Sequence, residues 1–495
     1  MGLGFRMNLL SAKRASEPSV KDQSDNRVDF DQDFDRVLFS APVRRLADKT
    51  QVFPMETNDS VRTRLTHSHE VSNLCRSLSL QILRSVPEGK PFGPSGDKEN
   101  VPVIAAAAGL AHDLGNPPFG HQGEEAVREW FKQRRSELFN TKDGALSDVQ
   151  QKDFLAWEGN AQAFRLVTKL QVSKGNCGLN LTFATLAALM KYTVASSDTS
   201  KKGHPARKKF GYFQDDKECA KEVLREVGLA PGLRHPIAYV MEACDDIAYS
   251  TIDVEDAINK GLVSLNDVLE MLNRQEDADE ASQSIMTRVQ DKLVELRKEK
   301  RSLGDTKDIA LQYFRSFTIG RMVMDARKTY LSNQEAILAG TLEGNLIKLS
   351  ESGQMCKALQ TFARVNAFQS PKVTSLELRG ANVLHGLMNY LWRGISETSL
   401  DSMVEDNDGK KRLAEINEKL GVEGLSTTFG RYAFNKISTN YRAVFGRAVT
   451  LASTADKIRY HQLLLLTDMV SGMTEDFVEA TFNELRELDD KRDAK

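Results

Sequence analysis

His112 and Asp113 stand side by side at the end of an apolar run, Val103 to Ala111. A Gly115-Asn116-Pro117-Pro118 break follows, then a second histidine, His121, and Glu124 three places beyond it. Neither an alanine-rich run nor a double proline needs titratable groups in order to fold, so these side chains point to chemistry. An imidazole and a carboxylate can share one divalent cation, but adjacent helical residues project about 100° apart. Other elements must therefore complete the shell. His67, in Arg62-Thr63-Arg64-Leu65-Thr66-His67, and Asp245, in Glu242-Ala243-Cys244-Asp245-Asp246, are the candidates. Two histidines and two aspartates give a mixed nitrogen–oxygen shell that suits Mn, Fe, Mg or Zn, with positions open for water and substrate. On the dipeptide alone, a capped or solvated His–Asp pair is the commoner outcome.

His121 and Glu124 share a helix face at a helix start, where the dipole disfavours protonated histidine. That suits groups exchanging protons beside phosphates; first-turn capping is the competing explanation. Glu242, Asp245, Tyr249, Asp253 and Asp256 recur at helical steps, and Asp245 to Asp253 spans about 12 Å of helix axis. One face could present a metal ligand, an aromatic ring and a second acid to an elongated ligand, or be a solvated acidic stripe. Lys201, Lys202, Arg207, Lys208 and Lys209 form the densest basic run, with Phe210 and Tyr212 beside it. Phosphate, single-stranded nucleic acid or plain solvent would each suit that run. No glycine-rich phosphate loop or Gly-x-Ser-x-Gly elbow is present.

The elements that must position these groups read as helices. The chain has 495 residues, 40% hydrophobic and 27% charged, with a net charge of −2. This is globular composition with no overall field for nucleic acid or membrane, so an anionic ligand needs a local patch. The five cysteines show no CxxC spacing, which argues for a reducing, cytoplasmic setting. No apolar run reaches the ~20 residues of a membrane helix. Residues 1–34 read as a mobile tail and residues 35–260 as a core holding the site, with an insertion at about 136–156 and a basic loop at 196–214. Residues 261–495 read as a helical C-terminal region. Within the core, helical spacing predicts Ser60–Val86, a helix ending near His112, a restart from Glu124 to Arg135, and a strong amphipathic helix from Pro236 to Lys260. Ile285, Val289, Leu293 and Leu296 mark a buried stripe in a charged stretch at 273–308. The fold class expected is all-α with at most minor β.

In order along the chain, several motifs resemble the histidine–aspartate (HD) phosphohydrolase superfamily, and within it the bacterial deoxyguanosine triphosphate triphosphohydrolases. They are Pro42-Val43-Arg44-Arg45-Leu46 with Lys49-Thr50-Gln51-Val52-Phe53-Pro54, Val61 to Ser68, His112 to Glu124, Glu158-Gly159-Asn160-Ala161-Gln162, Lys191-Tyr192-Thr193, Met241 to Tyr249, Leu376 to Gly380 and Ser471 to Thr474. The resemblance implies an HD helical core and a divalent cation, Mg or Mn, on His67, His112, Asp113 and Asp245. It implies His121 and Glu124 as the catalytic pair. Arg64, Asn160, Lys191, Tyr192 and Lys209 would hold a triphosphate. Gln51 and Asp253 would bond the sugar 3′ hydroxyl, with Val52 nearby and Tyr249 packed where a 2′ hydroxyl would clash. Phe368 and Glu377 match a region near the nucleoside. Residues 396–430 depart from the family pattern, so the family's C-terminal arginine is not placed. The implied reaction converts a deoxynucleoside triphosphate, dGTP above all, to the deoxynucleoside and intact triphosphate. Implied too are a homo-oligomer, a hexamer by resemblance, and single-stranded DNA as an effector. The competing readings are an HD phosphohydrolase of a guanosine polyphosphate or cyclic dinucleotide, and a non-enzymatic single-stranded DNA-binding regulator.

Overall fold

The computed structural model describes residues 8–16, 27–51, 62–86, 90–92, 98–141, 144–171, 177–200, 202–274, 279–299, 302–397, 427–452 and 454–493. The chain is all-α. Among the described residues, β structure amounts to one hairpin, Asn140–Thr141 antiparallel to Gly144–Ala145, and two isolated bridges. No described helix is long and apolar enough to cross a membrane.

Five helices carry most of the residues singled out above. The first, α1 (Arg64–Ser85), opens on a reciprocal cap in which Thr63 and Thr66 each accept from the other's backbone N–H. It buries His67, Val71, Cys75, Leu78 and Ile82 along one stripe. The next, α2 (Asn100–Ala111), is apolar all round because it is enclosed all round: Val101, Ile104, Ala105, Ala107, Ala108 and Leu110 are fully buried. The α1–α2 crossing depends on Gly109, where a Cβ would lie 2.9 Å from the Ser72 Cα. After the Gly-Asn-Pro-Pro break, α3 (Gly120–Gln133) starts four residues earlier than the spacing predicts and takes His121 into its first turn. Then come α4 (Gly159–Arg165) and α5 (Pro236–Asn259). The last of these begins on proline and is capped by His235, whose Nδ1 accepts from the Ile237 N–H.

Later helices close the body, among them α6 (Pro371–Glu397), α7 (Ala455–Ser471) and α8 (Glu475–Asp493). One apolar cluster joins Trp130 and Phe164 to Leu384, Leu464 and Val478, and the other joins Val71, Ile104 and Ile247 to Ile285 and Leu359. Both clusters draw on residues before and after position 260. The helix Glu280–Lys298 buries Ile285, Val289 and Leu296, as its spacing predicts, with Leu293 partly buried beside them.

One expectation needs correction, and two others are sharpened. The tail reading does not hold for residues 8–16 and 27–34. Leu9, Leu10 and Phe30 are buried, Arg14 pairs with Asp33 at 2.5 Å, and the Leu9 carbonyl lies 2.8 Å from His235 Nε2. A few apolar anchors suffice because their polar neighbours are satisfied by residues far along the chain. The expected insertion at 136–156 packs into the core through its described residues: Leu138, Phe139, Leu146 and Phe154 are buried, and Phe154 packs on Phe131 with ring centroids 4.9 Å apart. The basic loop is likewise anchored. Phe210 and Tyr212 are buried, and a Cβ at Gly211 would meet the Tyr192 carbonyl at 1.8 Å, so these rings are unavailable for stacking on bases. Lys201 and Val52 lie outside the described residues.

Arg165 ties α4 to α7. Its Nε and Nη2 reach the two Asp468 oxygens at 2.8 and 2.9 Å, a pair nearly out of solvent, and Nη1 reaches the partly exposed Asp215 at 2.8 Å. Replacing Asp468 with alanine strands a buried guanidinium. The expected cost is about 3 kcal/mol, the low end for a broken buried pair because Asp215 still accepts. A lowered thermal midpoint measures it.

Candidate active site

Three helices bring four of the predicted residues together. His67 comes from the first turn of α1, His112 and Asp113 from the residues that follow α2, and Asp245 from the middle of α5. His67 Nε2 lies 3.4 Å from Asp245 Oδ1, and His112 Nε2 lies 3.4 Å from Asp113 Oδ1 and 3.5 Å from Asp245 Oδ1. Ligand atoms of His67, His112 and Asp113 fall within 4.8 Å of one another. Both Nε2 atoms are buried without a hydrogen-bond partner. Buried imidazole nitrogens left open and facing carboxylates are what a cation site requires, so these residues fit a divalent metal.

The surroundings orient the ligands. His112 Nδ1 sits 2.7 Å from the Gly109 carbonyl, an arrangement that puts one proton on Nδ1 and leaves Nε2 as the nitrogen that faces the carboxylates. Asp113 is held from both sides, by Asn116 Nδ2 at 2.6 Å and Arg64 Nη1 at 2.6 Å. Burial alone would lower the His112 pKa and raise that of Asp113. Asp113 and Asp245 outweigh it for the imidazole and hold it up at about 9, while His112, Arg64 and His67 outweigh it for the Asp113 carboxyl and hold that down at about 2.

The Gly-Asn-Pro-Pro break then turns the chain back on the cluster. Phe119 and Gly120 both take left-handed backbone, with φ of 64° and 58°. A Cβ at Gly120 would come within 2.9 Å of Arg64 Nη2, so α3 begins against the arginine that holds Asp113. Distant residues fix this turn. Glu475 accepts from the Phe119 N–H at 3.1 Å, and buried Lys49 donates to the carbonyls of Asn116 at 2.8 Å and Ser471 at 2.6 Å. Burial, with Arg64 and Arg45 nearby, lowers the Lys49 pKa to about 7.

On α3, His121 and Glu124 face each other with Nδ1 3.8 Å from Oε2, outside hydrogen-bond distance. Their exposures differ sharply: the His121 side chain is 85% exposed and that of Glu124 only 6%. Glu124 accepts from the Gly159 N–H at 3.0 Å and from Arg128 at 3.2 Å. Burial would raise its pKa, but His121, Lys209 and Arg128 prevail and lower it. The pair is thus separate from the metal cluster but joined to it through Gly159, where a Cβ would meet Asn116 Oδ1 at 2.4 Å and Glu124 Oε1 at 2.8 Å.

Basic groups flank both parts. Lys191 Nζ lies 3.6 Å from Asp245 Oδ2 and 3.7 Å from Glu242 Oε1. Arg234, buried beside the Tyr192 and Tyr239 rings, donates to Glu242 at 2.6 Å and to the Lys191 carbonyl at 2.8 Å. Lys209 and Asn160 both donate to Glu158, at 3.0 and 2.8 Å.

Residues 64–171 match the HD domain family. A deoxyguanosinetriphosphate triphosphohydrolase-like protein of Listeria innocua is 33% identical over 489 residues, covering 97% of this chain and 99% of that one. The deoxyguanosinetriphosphate triphosphohydrolase of Yersinia pseudotuberculosis is 31% identical over 520 residues, covering 96% and 97%. The chain belongs to the deoxyguanosinetriphosphate triphosphohydrolase family. The HD segment of this family member contains His67, His112, Asp113, His121, Glu124 and Asn160, while Asp245, Lys191 and Lys209 lie beyond it.

Further along α5, Tyr249 faces Phe368 with ring centroids 6.2 Å apart. Asp253 is fully buried with Oδ2 unbonded. Burial, with Asp256 and Asp245 nearby, keeps its pKa well above the usual range. Gln51 Oε1 is also buried and unbonded. Glu377 lies half-buried on α6, and burial raises its carboxyl. Sequence reasoning missed Lys49, Arg128, Glu158, Arg234 and Glu475. Lys49 and Glu158 lie inside recognised motifs, but nothing local marks the distant partners of the five, which are up to 425 residues away.

A metal-binding assay checks the cluster. Protein loaded with Mn and freed of excess by gel filtration should retain the metal, and His112→Ala or Asp245→Ala should abolish retention. Asn116→Ala, which removes a donor to Asp113, should weaken affinity by about 10- to 100-fold.

Proposed function

We propose that this chain hydrolyses a deoxynucleoside triphosphate, dGTP in preference, to the deoxynucleoside and inorganic triphosphate. The observation that carries this is the unsatisfied pair of buried imidazole nitrogens, set among carboxylates and flanked by a separate His–Glu pair and by lysines. His67, His112, Asp113 and Asp245 would hold the cation, Mg or Mn. When bound, it supplies Lewis-acid stabilisation of phosphoryl oxygens.

The protein's own groups do the rest. Lys191, Lys209, Asn160, Tyr192 and Arg64 bind the phosphate chain and offset charge as it develops. A water oxygen bonds to the α-phosphorus, the bond from phosphorus to the 5′ oxygen breaks, and one proton must leave the water while another reaches the 5′ oxygen. His121 and Glu124 divide these two transfers. Exposed His121 can exchange protons with solvent, while buried Glu124 has a fixed orientation. A sugar 3′ hydroxyl would meet Gln51 and Asp253, whose buried oxygens lack partners. Tyr249 and Phe368 would close on the sugar where a 2′ hydroxyl would project, with Glu377 completing the nucleoside end.

The working form on this reading is a cytoplasmic homo-oligomer, a hexamer by family resemblance, with single-stranded DNA as an effector. That effector needs a surface other than the buried Phe210 and Tyr212 rings.

Incubation with Mn and each of the four dNTPs or GTP should release intact triphosphate, fastest from dGTP and least from GTP. Pyrophosphate or orthophosphate as the product refutes the reading. His121→Ala and Glu124→Ala should each lower kcat by about 10²- to 10⁴-fold with metal retention unchanged.

A further inference from the structure

Glu158 stands among groups that the triphosphate reading assigns to a polyanion, yet that reading gives it no task. It is 2% exposed and precedes α4, but its side chain does not cap that helix. Its contacts run to the site instead. Oε1 accepts from Asn160 Nδ2 at 2.8 Å and Lys209 Nζ at 3.0 Å, while Oε2 lies 2.8 Å from Lys209 Nζ and 3.6 Å from Arg128 Nη2. The same Arg128 nitrogen donates to Glu124 Oε2 at 3.2 Å. By charge alone a buried carboxylate here repels a phosphate chain. Its presence makes physical sense if it acts through the donors it gathers.

We propose that Glu158 is a positioning residue that holds Lys209 and Asn160 ready for the phosphate chain and, through Arg128, fixes Glu124. Lys209 carries its ammonium on a flexible stem, with a side chain 37% exposed. A fixed anion removes most of its rotamers before the ligand arrives, so less entropy is lost on binding. An ammonium has three donors, and two carboxylate oxygens leave one free for phosphate. The backbone beside Glu158 is equally constrained: Gly159 is wedged between Asn116 and Glu124 with no space for a Cβ. Glu158 and Asn160 therefore project from a fixed point.

The inference rests on the triphosphate reading, and one double-mutant cycle separates the two. Inorganic triphosphate is titrated calorimetrically, in excess magnesium, into wild type, E158Q, K209M and the double variant, each checked for its melting transition. E158Q should weaken binding about tenfold. In the K209M background the same change should cost no more than about twofold, because the donor it positions is gone. If E158Q does not melt cooperatively, E158D carries the same cycle. Equal losses in both backgrounds, or wild-type affinity in E158Q, overturn the proposal while leaving the triphosphate reading standing. Failure of the wild type to bind triphosphate overturns both.

Discussion

Two imidazoles and two carboxylates crowd together at the junction of α1, α2 and α5, with contacts of 3.4–3.5 Å, both rings buried and Asp245 the most exposed member. Burying charged groups is costly unless they are paired, and here the pairing is incomplete: two ring nitrogens have no partner. Much of the remaining architecture keeps this arrangement in place. The apolar α2 is enclosed so that its end delivers His112 and Asp113 to one point, and Gly109 lets α1 approach closely enough for His67 to reach it. Arg64 and Asn116 then hold Asp113 against relaxation away from the cluster.

The turn from Leu114 to Gly120 converts this cluster into a site with two parts. Its left-handed residues are costly conformations for a phenylalanine, and such strain persists only where surrounding contacts over-determine it. Those contacts come from the C-terminal helices: Glu475 on the Phe119 N–H, the Ser471 carbonyl sharing Lys49 with Asn116, and Gly380 against the Phe119 ring. The C-terminal region therefore does more than cover the core. It holds the chain reversal that sets the His121–Glu124 pair beside the cluster.

A similar division runs through the basic groups. Lys209 and Lys191 each have carboxylate partners, Glu158 for Lys209, and Glu242 with Asp245 for Lys191. Arg234 in turn fixes Glu242 while stacked near two tyrosines. Positive charge is thus placed rather than merely accumulated, as a protein with a net charge of −2 requires if it is to hold an anion at one place.

What the sequence determined by itself was residue type and local periodicity. His112-Asp113 beside a helix-stopping break, the stripe from Asp245 to Asp253, and the apolar spacing of α1 and α5 are all local patterns, and helices obey local rules. Those patterns sufficed for the all-α class, and they offered the four residues of the cluster as candidates that the ordered motifs of the family resemblance then singled out as a set. Only the tertiary structure decided how the groups were partnered. Nothing near Lys49 in the chain points to Ser471, nothing near Phe119 to Glu475, and nothing near Glu158 to Lys209. It also decided burial: the few apolar residues in segments 8–16 and 136–156 sit inside, and the rings of a basic loop became core. The reason is physical. Helix formation depends on neighbours three and four places away, whereas burial, pairing and charge depend on distance in space, which only the folded chain fixes.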